Sequence, residues 1–178
     1  FFTKHTYRTI TVGGFDSHLA QIAESDWIVE AVVEQLAVKQ ELLRKVEQHR
    51  AQDTIVSSNT SGIPIATISE GFSDNFRQHW LGTHFFNPPR YLPLLEVIPT
   101  TDTDPVVVKS IVAFGDRVLG KGVVVAKDTP NFIGNRIGLY GVMRVLEQLV
   151  NGKYTIEEID AMTGPLLGRA KSATFRTL

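Results

Sequence analysis

The chain predicts an α/β fold, a largely parallel sheet followed by an all-helical segment. Three observations carry that expectation. Between Thr9 and Ala126, short β-branched runs alternate with stretches whose apolar residues recur at helical spacing. WIVEAVV, Trp27 to Val33, is apolar except for Glu30, as in a strand covered on both faces. After Lys127-Asp128-Thr129-Pro130 the alternation stops and helix follows helix. A domain boundary is therefore expected near Lys127, dividing the chain into residues 1–126 and 127–178.

Taken in order, Thr9 to Val12 reads as a short strand ended by Gly13-Gly14, and Asp16 and Ser17 as caps for a helix carrying Leu19, Ile22 and Ala23. WIVEAVV is the next strand. From Gln35 to about His49, Leu36, Leu42, Leu43 and Val46 mark one face of a helix. Thr54-Ile55-Val56 is a strand that ends in the polar run Ser57 to Gly62. Two further apolar runs, up to His84 and from Leu92 to Ile98, flank the turn Asn87-Pro88-Pro89 and read as neighbouring buried strands. Asp104-Pro105 is a cap with proline at the first helical position, opening a helix to about Leu119 that Gly120 can stop. Gly122 to Ala126 is one more strand. A long helix is expected from Asn131 to Val150, ended by Gly152, and Thr155-Ile156-Glu157-Glu158 fits a capping box for the next.

Composition excludes several classes of function. Apolar residues make up 43% and charged residues 21% of the 178, as in ordinary soluble globular proteins. A formal charge of −1 gives no electrostatic case for nucleic acid or an anionic membrane. No apolar run approaches the roughly 20 residues that span a bilayer, and no signal-peptide pattern opens the chain. Without cysteine there is no disulfide, thiolate metal site or cysteine nucleophile, and no metal-ligand spacing is present. A cytoplasmic setting is expected.

The chemistry concentrates between Trp80 and Thr100. Neighbouring strands there would bring His84 beside Glu96, the one carboxylate in its apolar run. A buried carboxylate needs a partner, and a carboxylate that fixes an imidazole tautomer makes a general base of it. Unpaired, the two would be a surface histidine and a glutamate stretched towards solvent. In a largely parallel sheet, ligands sit beyond the carboxyl ends of the strands. The polar residues there are Glu34, Asn59 to Ser61, and His84 to Asn87. The alternative is that Asn, Ser and Thr only make turns.

The strings IVEAVVE, SSNTSG, GTHFFNPP, LLEVIPT and KDTPNFIGNR, in this order, resemble the NAD-dependent 3-hydroxyacyl-CoA dehydrogenases of fatty acid β-oxidation. Bacterial multidomain forms also carry a stretch similar to GPLLGRAKSATFRTL. The resemblance implies a Rossmann-like sheet followed by the family's helical C-terminal domain, and oxidation of a 3-hydroxyacyl-CoA to the 3-ketoacyl-CoA with NAD as hydride acceptor. It implies His84 as the catalytic base with Glu96 as its partner, and Ser61 and Asn135 at the reacting end of the substrate. Glu34, Lys39, Ser61 and Asn87 match positions near the dinucleotide. A homo-oligomer is expected, as is fusion to an enoyl-CoA hydratase domain in a longer chain.

The chain departs from the family pattern in one respect. It contains no G-x-G-x-x-G, the turn that seats a dinucleotide pyrophosphate, and no acidic residue at the matching distance for the adenine ribose. It begins where the third strand of such a sheet would begin and is expected to be part of a longer enzyme, inactive alone, with Thr9 to Val12 displaced from the sheet or something else filling the gap beside it. Two other readings remain open. A Ser-His-acid hydrolase would use Ser61 with His84 and Glu96, although no G-x-S-x-G elbow is present. A structural or assembly module would use the helical segment to cover another subunit.

Overall fold

The computed structural model describes residues 5–168 and 173–177. It divides into two compact units, Phe1–Phe132 and Ile133–Leu178.

Unit 1 is built on five strands: β1 (Trp27–Glu30), β2 (Ile55–Ser58), β3 (Trp80–Phe85), β4 (Leu94–Pro99) and β5 (Gly122–Val125). They lie side by side in chain order. β1, β2 and β3 are mutually parallel, β4 and β5 are parallel to each other, and β3 meets β4 antiparallel. The expected mostly parallel α/β sheet is thus present, with one hairpin in the middle. Helix α1 (Leu36–His49) crosses from β1 to β2, α2 (Ile65–Ile68) and α3 (Asp74–Gln78) lie between β2 and β3, and α4 (Pro105–Arg117) crosses from β4 to β5.

Side chains alternate across the sheet and define its two covered faces. On one face Val56, Trp80 and Ile98 pack with Leu43 and Val46 of α1, Ile65 and Ile68 of α2 and Phe76 of α3. On the other, Leu81, Leu95 and Val97 pack with Val107 and Ile111 of α4. Gly82 is required where α2 meets the sheet: a Cβ there would lie 2.7 Å from Ile65 Cδ1. Asp104 caps α4 by accepting from the Val106 amide at 2.7 Å, with Pro105 at the start, as the sequence predicts.

Three elements differ from expectation. Thr9 to Val12 is not a strand: Thr6–Thr9 forms a 3₁₀ turn, and Ile10 and Val12 are exposed. β-branched residues favour a strand only where a neighbouring strand and a covering layer receive them. Ser17 is no side-chain cap; its hydroxyl meets His18 Nδ1, and a 3₁₀ helix runs from Leu19 to Glu24. WIVEAVV is a strand only to Glu30, whose carboxylate turns back to accept from the Val32 amide at 2.6 Å.

Unit 2 holds α5 (Gly134–Val150) and α6 (Ile156–Thr163). α5 starts later than periodicity suggests because Asn131 and Phe132 have φ of 62° and 45°, outside the right-handed helical region. The capping box on α6 is complete, Thr155 Oγ1 accepting from the Glu158 amide and Glu158 Oε2 from the Thr155 amide. Buried Asp160 accepts from the Phe175 amide at 2.8 Å. Within GPLLGRAKSATFRTL, residues 169–172 and 178 lie outside the described residues.

Candidate active site

The β3–β4 hairpin places His84 directly opposite Glu96 in the antiparallel register. Nδ1 of His84 lies 2.8 Å from Glu96 Oε2, and the two residues are 3% and 1% exposed. Nδ1 is thus the ring nitrogen that faces Glu96, and Nε2 is the one presented away from it. Phe86 and Phe132 close on the imidazole, with ring centroids 4.5 and 5.6 Å away. Phe132 is itself 1% exposed, so the pair is walled on its apolar side.

Phe132 owes its place to the segment that follows β5. The Asp128 carboxylate accepts from the Ile65 and Ala66 amides, both at 2.8 Å, fastening that segment to the start of α2. The chain then turns through two successive left-handed residues, Asn131 and Phe132. Asparagine tolerates that conformation; a phenylalanine held there is an outlier of the kind that marks functional sites.

A second polar cluster lies at the carboxyl ends of β1 and β2. Glu34 Oε1 accepts from the Thr60 hydroxyl and from the Ser61 and Gly62 amides at 3.1 and 3.3 Å. Glu34 Oε2 lies 3.2 Å from Lys39 Nζ. Partial burial pushes the Glu34 carboxyl up, but the Thr60 hydrogen bond, Lys39 and the Ser61 amide outweigh it and hold it below its ordinary value. Lys39 is 1% exposed and also bonds both oxygens of buried Glu30 and the Val32 carbonyl. Its ammonium has therefore been committed to protein acceptors, and it reaches the surface only through Glu34.

The sequence-predicted residues fall into separate groups. His84 and Glu96 form one pair, and Glu34, Lys39 and Ser61 form a second cluster. Asn87 is exposed just after β3, preceding a cis bond to Pro88. Asn135 lies in the first turn of α5, in unit 2. Sequence reasoning missed Phe132 and Asp128, whose partners are about 50 to 65 residues away in the chain and leave no local signal. It placed Asn59 to Ser61 at the candidate site but did not anticipate the bond from the Phe85 amide to Asn59 Oδ1. Among the described residues no group of three or more His, Asp or Glu is placed to hold a metal ion. No described helix is long and apolar enough to cross a membrane.

The residues present suit one end of a dinucleotide better than the other. A half-exposed carboxylate beside a serine at the strand ends is the donor and acceptor set that hydroxyl and carboxamide groups require. The chain has no glycine-rich turn for a pyrophosphate.

Residues 2–129 match the family model described as 3-hydroxyacyl-CoA dehydrogenase, NAD binding domain. The chain is 56% identical over 169 residues to a probable 3-hydroxyacyl-CoA dehydrogenase of Bacillus subtilis, covering 95% of this chain and 21% of that protein. It is 49% identical over 177 residues to a probable 3-hydroxyacyl-CoA dehydrogenase of Deinococcus radiodurans, covering 99% of this chain and 51% of that protein. Among solved structures it resembles (S)-3-hydroxybutyryl-CoA dehydrogenase from Ralstonia eutropha, with TM-score 0.75 and 28% identity over 82% of this chain and 50% of that one. The chain thus spans about a fifth of one of these relatives and about half of the others.

Proposed function

The chain belongs to the family of 3-hydroxyacyl-CoA dehydrogenase NAD-binding domains, and from that footing we propose that it carries the proton-transfer machinery of an NAD-dependent oxidation of 3-hydroxyacyl-CoA to 3-ketoacyl-CoA. The observation that supports this most is the buried His84–Glu96 pair at the end of β3.

NAD, when bound, supplies the acceptor for the hydride leaving C3. The chain's own residues manage the proton. Glu96 holds His84 Nδ1–H, so Nε2 takes the proton of the C3 hydroxyl while the carbon–oxygen double bond forms. Glu96 then balances the imidazolium. Phe86 and Phe132 keep water from that charge pair, which strengthens it. Ser61 and Asn135 are assigned to hold the substrate oxygen. Glu34 and Asn87 are assigned to the ribose and nicotinamide end of the cofactor, with Lys39 setting the position of Glu34. In this reading residues 1–126 serve the dinucleotide and residues 127–178 open the helical substrate domain. The greater length of the relatives leaves room for further segments, an enoyl-CoA hydratase domain among them, and the assembly proposed is a homo-oligomer.

The test is reduction of a 3-ketoacyl-CoA by the full-length protein with NADH, followed by nucleotide absorbance. Turnover dependent on both supports the proposal, and no absorbance change across short and long acyl chains overturns it.

A further inference from the structure

We propose that Asn59 is a positioning residue for His84, its carboxamide holding the tip of β3 where β2 no longer reaches. The inference rests on the reading of His84 as the base. Parallel pairing of β2 with β3 runs from Val56 opposite Trp80 to Ser58 opposite Gly82 and then ends. β3 continues to Phe85, paired on its other side with β4 through His84 opposite Glu96 and Phe85 opposite Leu95. The stretch that carries the imidazole therefore has a strand along one flank only.

On the open flank the Phe85 amide donates to Asn59 Oδ1 at 2.9 Å. The Asn59 backbone is fixed in turn, its own amide donating to the Glu30 carbonyl at 2.8 Å. One connected line thus runs from the end of β1, through Asn59, to the residue that follows His84. The side chain replaces a strand at the height where the sheet must open to admit a substrate. Asparagine suits this place because its oxygen accepts without charge. An aspartate would accept equally well and bring another carboxylate towards the His84–Glu96 pair.

A base displaced by a fraction of an ångström loses much of its effect, and that is what a loose β3 tip would cause. Three variants of the full-length protein test the role: Asn59→Ala, Asn59→Gln and Asn59→Asp. Three quantities are measured: kcat and KM with a 3-ketoacyl-CoA and NADH, hydrogen exchange of the Phe85 amide, and the NMR signal of the proton between His84 Nδ1 and Glu96 without substrate. Asn59→Ala should lower kcat by about 10–10²-fold with KM nearly unchanged, speed Phe85 exchange and broaden the ring-proton signal. Asn59→Asp keeps an acceptor in place and should restore slow exchange of the Phe85 amide, while its added charge acts on the pair itself. If Asn59→Ala does not fold, Asn59→Gln carries the test, because its oxygen is displaced by one methylene. Wild-type kcat and ring-proton signal in a folded variant whose Phe85 amide exchanges freely would overturn the proposal, as would Phe85 exchange in Asn59→Asp as fast as in Asn59→Ala. Failure of the base reading is separately visible, as unchanged turnover in His84→Ala, because the ring-proton signal reports the hold on His84 without any catalysis.

Discussion

Lys39 and Glu30 form a two-pronged ion pair, Nζ to the two carboxylate oxygens at 2.9 and 3.1 Å, with both side chains 1% exposed. Glu30 is also bonded by the Ser58 hydroxyl and the Val32 amide. The pair joins the end of β1 to the first turns of α1 and, through Glu34, reaches the Ser61 loop. Removing the cation would strand a buried carboxylate. Lys39→Met should therefore lose about 3–5 kcal/mol of stability. Adding Glu30→Gln should recover part of that loss, because the uncompensated charge goes with it. Urea unfolding of the two variants checks this. A loss no larger than that of a surface ion pair, under about 1 kcal/mol, would show that Glu30 is satisfied without Lys39.

His84→Ala in the full-length protein should cut turnover by about 10²–10⁴-fold, the range for loss of a general base. Glu96→Gln keeps the shape and removes the charge that balances the imidazolium, and should lower kcat by about 10²-fold with little change in KM. Steady-state kinetics with a 3-ketoacyl-CoA measure both. Turnover insensitive to Glu96→Gln would reduce Glu96 to a packing role.

Glu34 gives a pH dependence whose sign follows from its surroundings. Burial raises its pKa, and the Thr60, Lys39 and Ser61 interactions more than reverse that, so the folded value lies below the unfolded one. Its contribution to stability is then present above the ordinary carboxylate range and lost as pH falls through the folded value. The stability difference between wild type and Glu34→Gln should be full near pH 7 and close progressively below about pH 4.3. Thermal unfolding across that window measures it. A constant difference would mean that Glu34 is held no more tightly in the folded chain than in the unfolded one.

The 178 residues alone should bind NAD weakly or not at all and turn over no substrate, because they hold no G-x-G-x-x-G to seat the pyrophosphate. β1 ends the described sheet on one side, with its outer backbone groups open to another strand. Self-association of this piece is the expected accompaniment. Calorimetric titration with NAD and sedimentation of the same sample report the two outcomes. Affinity equal to that of the full-length protein would reveal a phosphate site elsewhere in these residues.

What was legible in the sequence was local or periodic. The Asp104-Pro105 start of α4 and the Thr155–Glu158 box are each contained within a few residues, and both stand as read. His84 and Glu96 were legible as neighbours because two apolar runs about a short proline-bearing turn have few ways to pair. Elsewhere the folded chain overrode the local pattern. Thr9 to Val12 has strand composition but pairs with no strand among the described residues. β1 stops at Glu30 because that side chain captures the Val32 amide, and the start of α5 is set by two left-handed residues that periodicity cannot register. Asn59 with Phe85, Asp128 with Ile65 and Phe132 with His84 are contacts between distant segments, and no spacing rule encodes them.

The straight order of the sheet bears on how such a domain can be varied. Chain neighbours are sheet neighbours from β1 to β5, so strands can be gained or shed at either margin without unthreading the middle. The His84–Glu96 hairpin lies on inner strands, although β2 pairs with β3 only as far as Gly82. A change at the β1 margin reaches the tip of β3 through Asn59, whereas one at β5 reaches it across the β4 ladder. The paired histidine and glutamate thus sit away from the edges at which a strand could be added or lost.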